Sequence, residues 1–190
     1  PADVQVTNFW KTLYQGIYRA NLVLARVDNP ELEEGARNKI KGQALFLRGY
    51  YYFLLASNYG GVPLLLTAEP DINNVDVPRA SLREVYDQVL SDMTQAESLV
   101  AEASDLDGGG RISRSAVQGI LARVCITMAG YPLNDESMYE EAKQWAVKVR
   151  DSGMHELNPD YSDIFIKYAK DEYDIKESIW EVEFYGLLSN

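Results

Sequence analysis

The stretch that most constrains the fold is residues 42–65, GQALFLRGYYYFLLASNYGGVPLL. Between residues 44 and 56 only Arg48 and Gly49 are not apolar. A surface helix carries one apolar stripe, whereas a helix that is apolar around most of its circumference must be covered on several sides. The helix stops at the YGG sequence of residues 59–61, and the chain leaves it as an extended apolar run. The sequence therefore predicts a central helix wrapped by other helices.

Composition and charge exclude several classes of protein. The chain has 190 residues and is 46% apolar, which is enough for one domain with a real core and argues against disorder. Its net charge of -11 argues against binding to a nucleic-acid backbone. Residues 151–185 hold ten Asp/Glu and three Lys/Arg, which is typical of a solvated acidic surface. The alternative is a cation site, but Asp160, Asp163, Asp171 and Asp174 lack the spacing and the glycine of an EF-hand loop, so we predict no metal and no cofactor.

Residues suited to catalysis are scarce. Cys125 is the only cysteine and lies in the apolar helical sequence ILARVCITMAG, which predicts a buried, inert thiol. His155 is the only histidine, and a dyad with Cys125 would require the fold to bring the two together. The sequence contains no phosphate loop, nucleophile elbow or dinucleotide fingerprint. We therefore predict no catalytic residues and no enzyme activity. The sequence has no run of 18 apolar residues, so it predicts no membrane span.

The spacing of apolar residues predicts mostly helices. Capping boxes are predicted at Ser81-x-x-Glu84 and Ser137-x-x-Glu140, and Thr7 and Ser113 are candidate N-caps. Residues 62–67 and 178–184 have the composition of strands. The predicted helices span residues 7–27, 33–59, 81–103, 113–129, 138–151 and 162–168.

Glycines inside these helices indicate close helix crossings. Gly42 and Gly49 are seven residues apart and so share one helix face. Each interior glycine costs about 1 kcal/mol relative to alanine, which suggests that another backbone packs there. Gly16 and Gly119 are candidates for further crossings.

Two polar residues lie on otherwise apolar faces. Asn21 shares a face with Tyr14 and Ile17, which predicts a core amide with satisfied hydrogen bonds. Arg48 lies among aromatic residues, which predicts a partly buried guanidinium paired with an acid.

The later helices have the sizes and short links of stacked helix pairs. The pair formed by the fourth and fifth helices looks like a tetratricopeptide (TPR) unit, with Ala142 and Ala146 at i and i+4. Such pairs bury a continuous core only by stacking. The predicted fold is mainly all-α, a TPR-like right-handed stack of antiparallel helix pairs with irregular loops and minor β-structure. We expect one such domain over residues 1–190.

Several segments, in one colinear order, resemble a known family. The segment LFLRGYYYFLLASNYGGVPLL resembles a signature of the SusD/RagB family of Bacteroidetes outer-membrane nutrient-binding lipoproteins, and the ending ESIWEVEF resembles a strand of that family. The matching residues are Ile17, Ala20, Asn21 and Leu24; Arg48, Tyr51, Tyr52, Phe53, Tyr59, Gly60, Pro63 and Leu64; Arg79, Ser81, Tyr86, Asp92 and Ala96; and Gly110, Arg111, Ala116, Leu121, Ala122, Arg123 and Val124.

The resemblance implies a non-catalytic protein that captures glycans or other nutrients at the cell surface. It also implies delivery to a TonB-dependent SusC-type transporter, attachment to the outer membrane through a lipid anchor, and a helical half that serves mainly as scaffold and transporter-facing surface. Family members are longer, so we expect this chain to be truncated at both ends relative to the full architecture. The resemblance assigns no ligand-binding residue, because glycan contacts vary between members.

The residues alone leave the ligand open. Tyr131, Tyr168 and Tyr173 are candidates for exposed aromatic side chains that could stack on sugars. The alternative function is a helical-repeat scaffold for protein–protein interaction without a small-molecule site.

Overall fold

The computed structural model describes residues 3–28, 31–69, 76–106, 109–170, 172 and 176–182. Along these residues, each of the first four helices packs against the next one in sequence. This all-α, TPR-like arrangement agrees with the fold class predicted from the sequence. The helices are Val4–Arg26 (α1), Glu34–Tyr59 (α2), Leu82–Leu99 (α3), Arg114–Ala129 (α4), Met138–Asp151 (α5) and Tyr161–Ala169 (α6), with a short 3-10 helix at Ala103–Asp105.

Helix α2 is the central helix. It packs against both α1 and α3 and buries residues around most of its second half, among them Phe46, Tyr52 and Leu55. Helix α4 is likewise buried over most of its length and packs against α3 and α5. Both helices are apolar on several sides, and the structure covers them on several sides, as their sequences predict.

Three of the four predicted glycine crossings are present. A Cβ at Gly42 would lie 2.9 Å from the Leu99 Cβ, and one at Gly49 would lie 3.1 Å from the Met93 Cγ, so both glycines let α3 approach α2. A Cβ at Gly16 would lie 2.4 Å from the Tyr51 ring, which crosses α1 at that point. The prediction for Gly119 is wrong, because a Cβ there would meet nothing within 4 Å.

Helix caps follow the predictions in part. The Ser81 hydroxyl and the Glu84 carboxylate form the predicted reciprocal capping box, and the Ser113 hydroxyl accepts from the Ala116 N–H. Thr7 is not the cap of α1, since Asp3 accepts from the first free N–H groups and the helix begins three residues earlier. Ser137 makes no cap hydrogen bond, because its hydroxyl donates instead to Asp135 Oδ1 at 2.5 Å.

β-Structure is nearly absent from the residues that the structure describes. Ala101 and Ser113 form one isolated parallel bridge next to α4. The predicted strand over residues 178–184 is wrong for residues 178–182, which form no strand, and residues 183–184 lie outside the described part. Residues 62–67 form no strand: the Val62 carbonyl accepts from the Ala80 N–H, and the backbone groups of Leu65 bond to the side chains of Asn21 and Tyr52.

Candidate functional site

Arg48 is the centre of a buried polar cluster between α1, α2 and α3. Its guanidinium makes a bidentate pair with Asp92, with Nε–Oδ2 and Nη2–Oδ1 distances of 2.7 Å. Its Nη1 donates to Asn21 Oδ1 at 2.9 Å. The three side chains are 8%, 0% and 2% exposed for Arg48, Asp92 and Asn21, so each charge depends on its partner rather than on water.

This cluster holds the extended run that leaves α2. The Asn21 Nδ2 donates to the carbonyls of Leu65 and Thr67 at 2.8 and 3.2 Å, and Arg48 Nη1 donates to the carbonyl of Leu66 at 3.3 Å. An extended run without a neighbouring strand would otherwise leave these carbonyls without protein partners. The cluster therefore fixes residues 65–67 against the helices.

Two tyrosines also form hydrogen bonds with the backbone of the extended run after α2. The Tyr52 hydroxyl accepts from the Leu65 N–H at 2.7 Å and donates to the Leu65 carbonyl at 3.1 Å. The Tyr14 hydroxyl donates to the Pro63 carbonyl at 2.8 Å. Burial raises the pKa of Tyr52 to about 12 and also raises the pKa of Tyr14. Both hydroxyls are therefore neutral donors at ordinary pH.

A tight turn at the end of α2 sets where the run begins. Gly60 has a φ of 73°, the left-handed conformation that favours glycine. At Gly61 a Cβ would lie 2.2 Å from the carbonyl oxygen of Ala80, so only glycine lets the two segments touch. Arg79 closes the turn by donating to the carbonyls of Gly61 and Tyr59, both at 2.7 Å.

The cluster is suited to hold structure rather than to bind a ligand. Asp92 accepts from Arg48 through both oxygens and from Gln88 Nε2 at 2.8 Å. The Asn21 amide donates to the loop and accepts from Arg48. Its polar groups thus bond within the protein itself, and they hold the surface loop of residues 62–69 in place.

Of the tyrosines predicted to be exposed, Tyr131 fits best. It is 88% exposed at the turn between α4 and α5. Tyr168 is 38% exposed and its hydroxyl donates to Glu181 Oε2 at 2.5 Å, so it belongs to a tertiary contact. Tyr173 lies outside the described residues. The sequence analysis missed the exposed pair Tyr161 and Phe165 on α6, although their spacing of four residues places them side by side on a helix.

Cys125 and His155 do not form a dyad. Cys125 is buried, as predicted, and burial raises the pKa of its thiol to about 11. The His155 Nε2 lies 2.7 Å from Ser115 Oγ in the first turn of α4. Ser115 and Cys125 are ten residues apart on that helix, or about 15 Å along its axis. The imidazole therefore joins two segments, and no catalytic pair is formed.

The acidic residues near α6 serve local structure. Asp160 caps α6 by accepting from the Ser162 N–H, and Asp163 accepts from Asn158 and pairs with Lys167 at 3.1 Å. Asp171 and Asp174 lie outside the described residues. Within the described ranges, no group of three or more His, Cys, Asp or Glu side chains is placed to hold a metal ion. In the same ranges, no helix is both long and apolar enough to cross a membrane.

Comparison with known proteins decides the family. Residues 1–126 match the SusD-like family model described as starch-binding and associating with the outer membrane. The chain belongs to the SusD-like family. The residues that carried the resemblance in this region include Asn21, Arg48 and Asp92 of the cluster and Tyr59, Gly60 and Arg79 of the turn after α2, so the family signature is mainly a folding signature.

Individual relatives support the assignment across nearly the whole chain. A SusD-like protein of Bacteroides ovatus is 27% identical over 169 residues, which cover 86% of this chain and 30% of that protein. The crystal structure of a SusD homolog from Bacteroides thetaiotaomicron is 30% identical with a TM-score of 0.87 over 97% of this chain and 37% of that one. A crystal structure with xylogluco-oligosaccharide is 25% identical with a TM-score of 0.78, over 96% of this chain and 36% of that one. The chain thus spans about a third of the length of these relatives.

Proposed function

We propose that this chain is the helical part of a glycan- or nutrient-binding protein of the cell surface. In this proposal the protein is held at the outer membrane by a lipid anchor and delivers oligosaccharides to a TonB-dependent SusC-type transporter. The observation that carries the proposal is membership of the SusD-like family, together with a similar fold in a structure that contains a xylogluco-oligosaccharide.

The helices act mainly as a scaffold in this proposal. The polar groups of the Arg48 cluster bond to the carbonyls of the extended run after α2 and so hold this surface loop in place. Exposed aromatic rings would supply the sugar contacts, because a ring face and the apolar face of a sugar exclude water from each other. Tyr131 is the candidate among the predicted residues, since its ring is almost fully exposed and lies on a turn.

We propose that the protein binds its ligand without chemical conversion. The family model is described as starch-binding, and one of the structures compared above contains a xylogluco-oligosaccharide. Among the described residues, Cys125 is a buried thiol whose pKa is raised by burial, and the His155 ring bonds to Ser115 and to the Lys176 carbonyl.

A scaffold that binds only other proteins is the second candidate. It is favoured by the way the buried polar groups of α1, α2 and α3 are saturated by the chain itself, which leaves them no part in recognising a ligand. Under this alternative the exposed aromatic residues would contact a protein partner.

Titration with a panel of oligosaccharides separates the two functions. Calorimetry and tryptophan fluorescence would be recorded with xyloglucan-, starch- and cellulose-derived oligosaccharides. We expect saturable binding to at least one of them, no hydrolysis products, and about tenfold weaker binding for Tyr131→Ala. Tyr139→Ala is the matched control, because Tyr139 is also exposed but lies on α5.

Two results would contradict the proposal. Release of shorter sugars by the purified chain would contradict the non-catalytic role. Failure of every oligosaccharide to bind, combined with capture of the purified transporter by the chain, would favour the scaffold.

A further inference from the structure

His155, the only histidine of the chain, joins three segments through its two ring nitrogens. Its Nδ1 lies 3.1 Å from the carbonyl oxygen of Lys176, and its Nε2 lies 2.7 Å from Ser115 Oγ in the first turn of α4. Ser115 Oγ is in turn 3.1 Å from Ser113 Oγ. One chain of hydrogen bonds, which we call the His155 relay, thus connects the loop after α5, the start of α4 and residues 176–182.

The Lys176 carbonyl determines which ring nitrogen carries the proton. A carbonyl oxygen only accepts hydrogen bonds, so Nδ1 must be protonated, and in a neutral imidazole Nε2 is then an acceptor. The Ser115 hydroxyl therefore donates to Nε2, and the Ser113 hydroxyl donates to Ser115 Oγ. Ser113 Oγ accepts from the Ala116 N–H at 3.1 Å. Every donor of the relay thus has an acceptor when His155 is neutral.

Protonation of the imidazole removes one acceptor from the relay and adds one donor. Nε2 must then donate to Ser115 Oγ, so only one of the two serine hydroxyls can still donate within the relay. Ser113 and Ser115 are 3% and 4% exposed, so the remaining hydroxyl loses its acceptor away from water, which is unfavourable. The new positive charge also lies at the N-terminus of α4, where the helix dipole disfavours a cation.

The charged side chains that face the relay include both signs. The cations are Arg111, Arg114 and Lys176, and the anions are Glu102, Glu156 and Glu177. Arg114 pairs with Glu102, and Lys176 pairs with Glu156. The Glu181 carboxylate, further along the same segment, accepts a hydrogen bond from α6. The order of the hydrogen bonds, rather than a local excess of charge, therefore decides the effect of protonation.

The relay is not placed to act as a catalyst. A serine that donates to a histidine is the arrangement of a nucleophile and its base. The cavity beside it, which Ser113, His155 and Ser178 help to line, has a volume of about 10 Å³, room for one water molecule at most. Ser115 itself is buried. The relay therefore holds segments together instead of meeting a substrate.

We propose that the His155 relay is a pH-sensitive attachment of residues 176–182 to the start of α4. The attachment is firm when the imidazole is neutral and is loosened when the imidazole takes up a proton, between about pH 8 and pH 5. Trp180 contacts α2 outside the relay, so the segment is loosened at its first residues and stays in place at Trp180. The relay is independent of the glycan function proposed above.

NMR spectroscopy of the chain with ¹⁵N-labelled histidine tests the assignment of the protons. His155 gives the only histidine signals, so no other residue can be confused with it. We expect a protonated Nδ1 and an unprotonated Nε2 at about pH 8, and protonation of Nε2 as the pH is lowered to about 5. A neutral ring that carries its proton on Nε2 would overturn the proposal.

Hydrogen exchange measures the attachment itself. The Glu156 N–H donates to the Lys176 carbonyl at 3.1 Å, beside Nδ1, so its protection factor reports on this end of the segment. That protection factor should fall at least about fivefold from pH 8 to pH 5, because one buried hydroxyl loses its acceptor. His155→Gln should keep the protection at both pH values, because its amide can donate to the carbonyl and accept from Ser115 but does not titrate.

Two serine variants separate the relay from a general effect of pH. Ser115→Ala removes the hydroxyl whose bond is reversed, so the fall in protection should shrink to less than about twofold. Ser178→Ala is the matched control and should keep the full fall, because Ser178 lines the same cavity but is not a member of the relay. Thermal unfolding at pH 8 verifies that each variant is folded. The proposal is overturned if the protection of Glu156 does not depend on pH, if the dependence persists in His155→Gln, or if the two serine variants behave alike.

Discussion

The pairing of Arg48 with Asp92 makes each residue costly to change alone. Arg48→Met would leave the Asp92 carboxylate buried without its cation and would remove the donors to Asn21 and Leu66. Breaking one partner of a buried ion pair costs about 3–5 kcal/mol of unfolding free energy. Urea unfolding measures this loss. Arg150→Met is the control, because its ion pair with Asp151 is on the surface and should not contribute measurably, and an equal loss in both variants would contradict the role of burial.

The thiol of Cys125 provides a test of burial through its pH dependence. Burial, aided by the nearby Glu141, raises its pKa from 9.0 to about 11. The folded chain should therefore have roughly a hundredfold less thiolate than the unfolded chain at pH 8. Reaction with a disulfide reagent should be slower by at least that factor, and should accelerate up to pH 11 rather than levelling near pH 9. Since the raised pKa favours the protonated folded state, this contribution to stability is lost as the pH rises from 9 to 11. Equal rates in folded and urea-unfolded chains would contradict this account.

How far single residues could be predicted depends on where their partners lie in the sequence. The burial of Cys125 and the paired state of Arg48 follow from their apolar neighbours. The partner Asp92 lies 44 residues away, and local periodicity does not determine which acid faces α2. The loop carbonyls held by Asn21 were missed for the same reason, although a polar residue on an apolar stripe gave the signal that some buried bond was present.

Gly42 and Gly119 both lie inside helices, but replacing each with alanine should change stability in opposite directions. Gly42→Ala should destabilise the chain, because its Cβ would be 2.9 Å from both Leu99 and Val100 side-chain atoms. Gly119→Ala should stabilise it by about 0.5–1 kcal/mol, because the new methyl group meets nothing and the helix gains alanine's propensity. Urea unfolding of the two variants compares them directly. Stabilisation by both changes would show that helix propensity, not the α2–α3 crossing, dominates.

Helix ends were predicted less reliably than helix existence. The pattern Ser-x-x-Glu occurs at both Ser81 and Ser137, but only Ser81 forms the capping box. The difference arises because the Ser137 hydroxyl donates a hydrogen bond to Asp135 Oδ1 at 2.5 Å instead of capping the helix. Such local competition between side chains is not visible in the spacing of the motif.

At the scale of the whole molecule, the sequence predicted the family and the helical stack but not a ligand site. The residues that identify the family are mostly buried or hold the turn after α2, so they report on folding. Sites on the surface require knowing which side chains from distant parts of the sequence meet, as Tyr168 and Glu181 do. Those meetings depend on tertiary packing that apolar periodicity does not encode.

The segment around Trp180, near the end of the described chain, packs against the central helix α2. The Trp180 ring meets the rings of Phe46 and Tyr50 edge-on, with centroid distances of 5.1 Å to each. The Glu181 N–H donates to the Gly109 carbonyl at 3.2 Å beside it. Trp180→Ala should lower the unfolding free energy by about 2 kcal/mol, less than the 3–5 kcal/mol typical of a fully buried aromatic residue, because Trp180 is only half-buried. Trp180→Phe should retain most of the stability, since it keeps a ring at the contact. Urea unfolding together with limited proteolysis tests this, and cleavage near residues 176–182 that is no faster in Trp180→Ala than in the parent chain would show that the ring does not hold the segment.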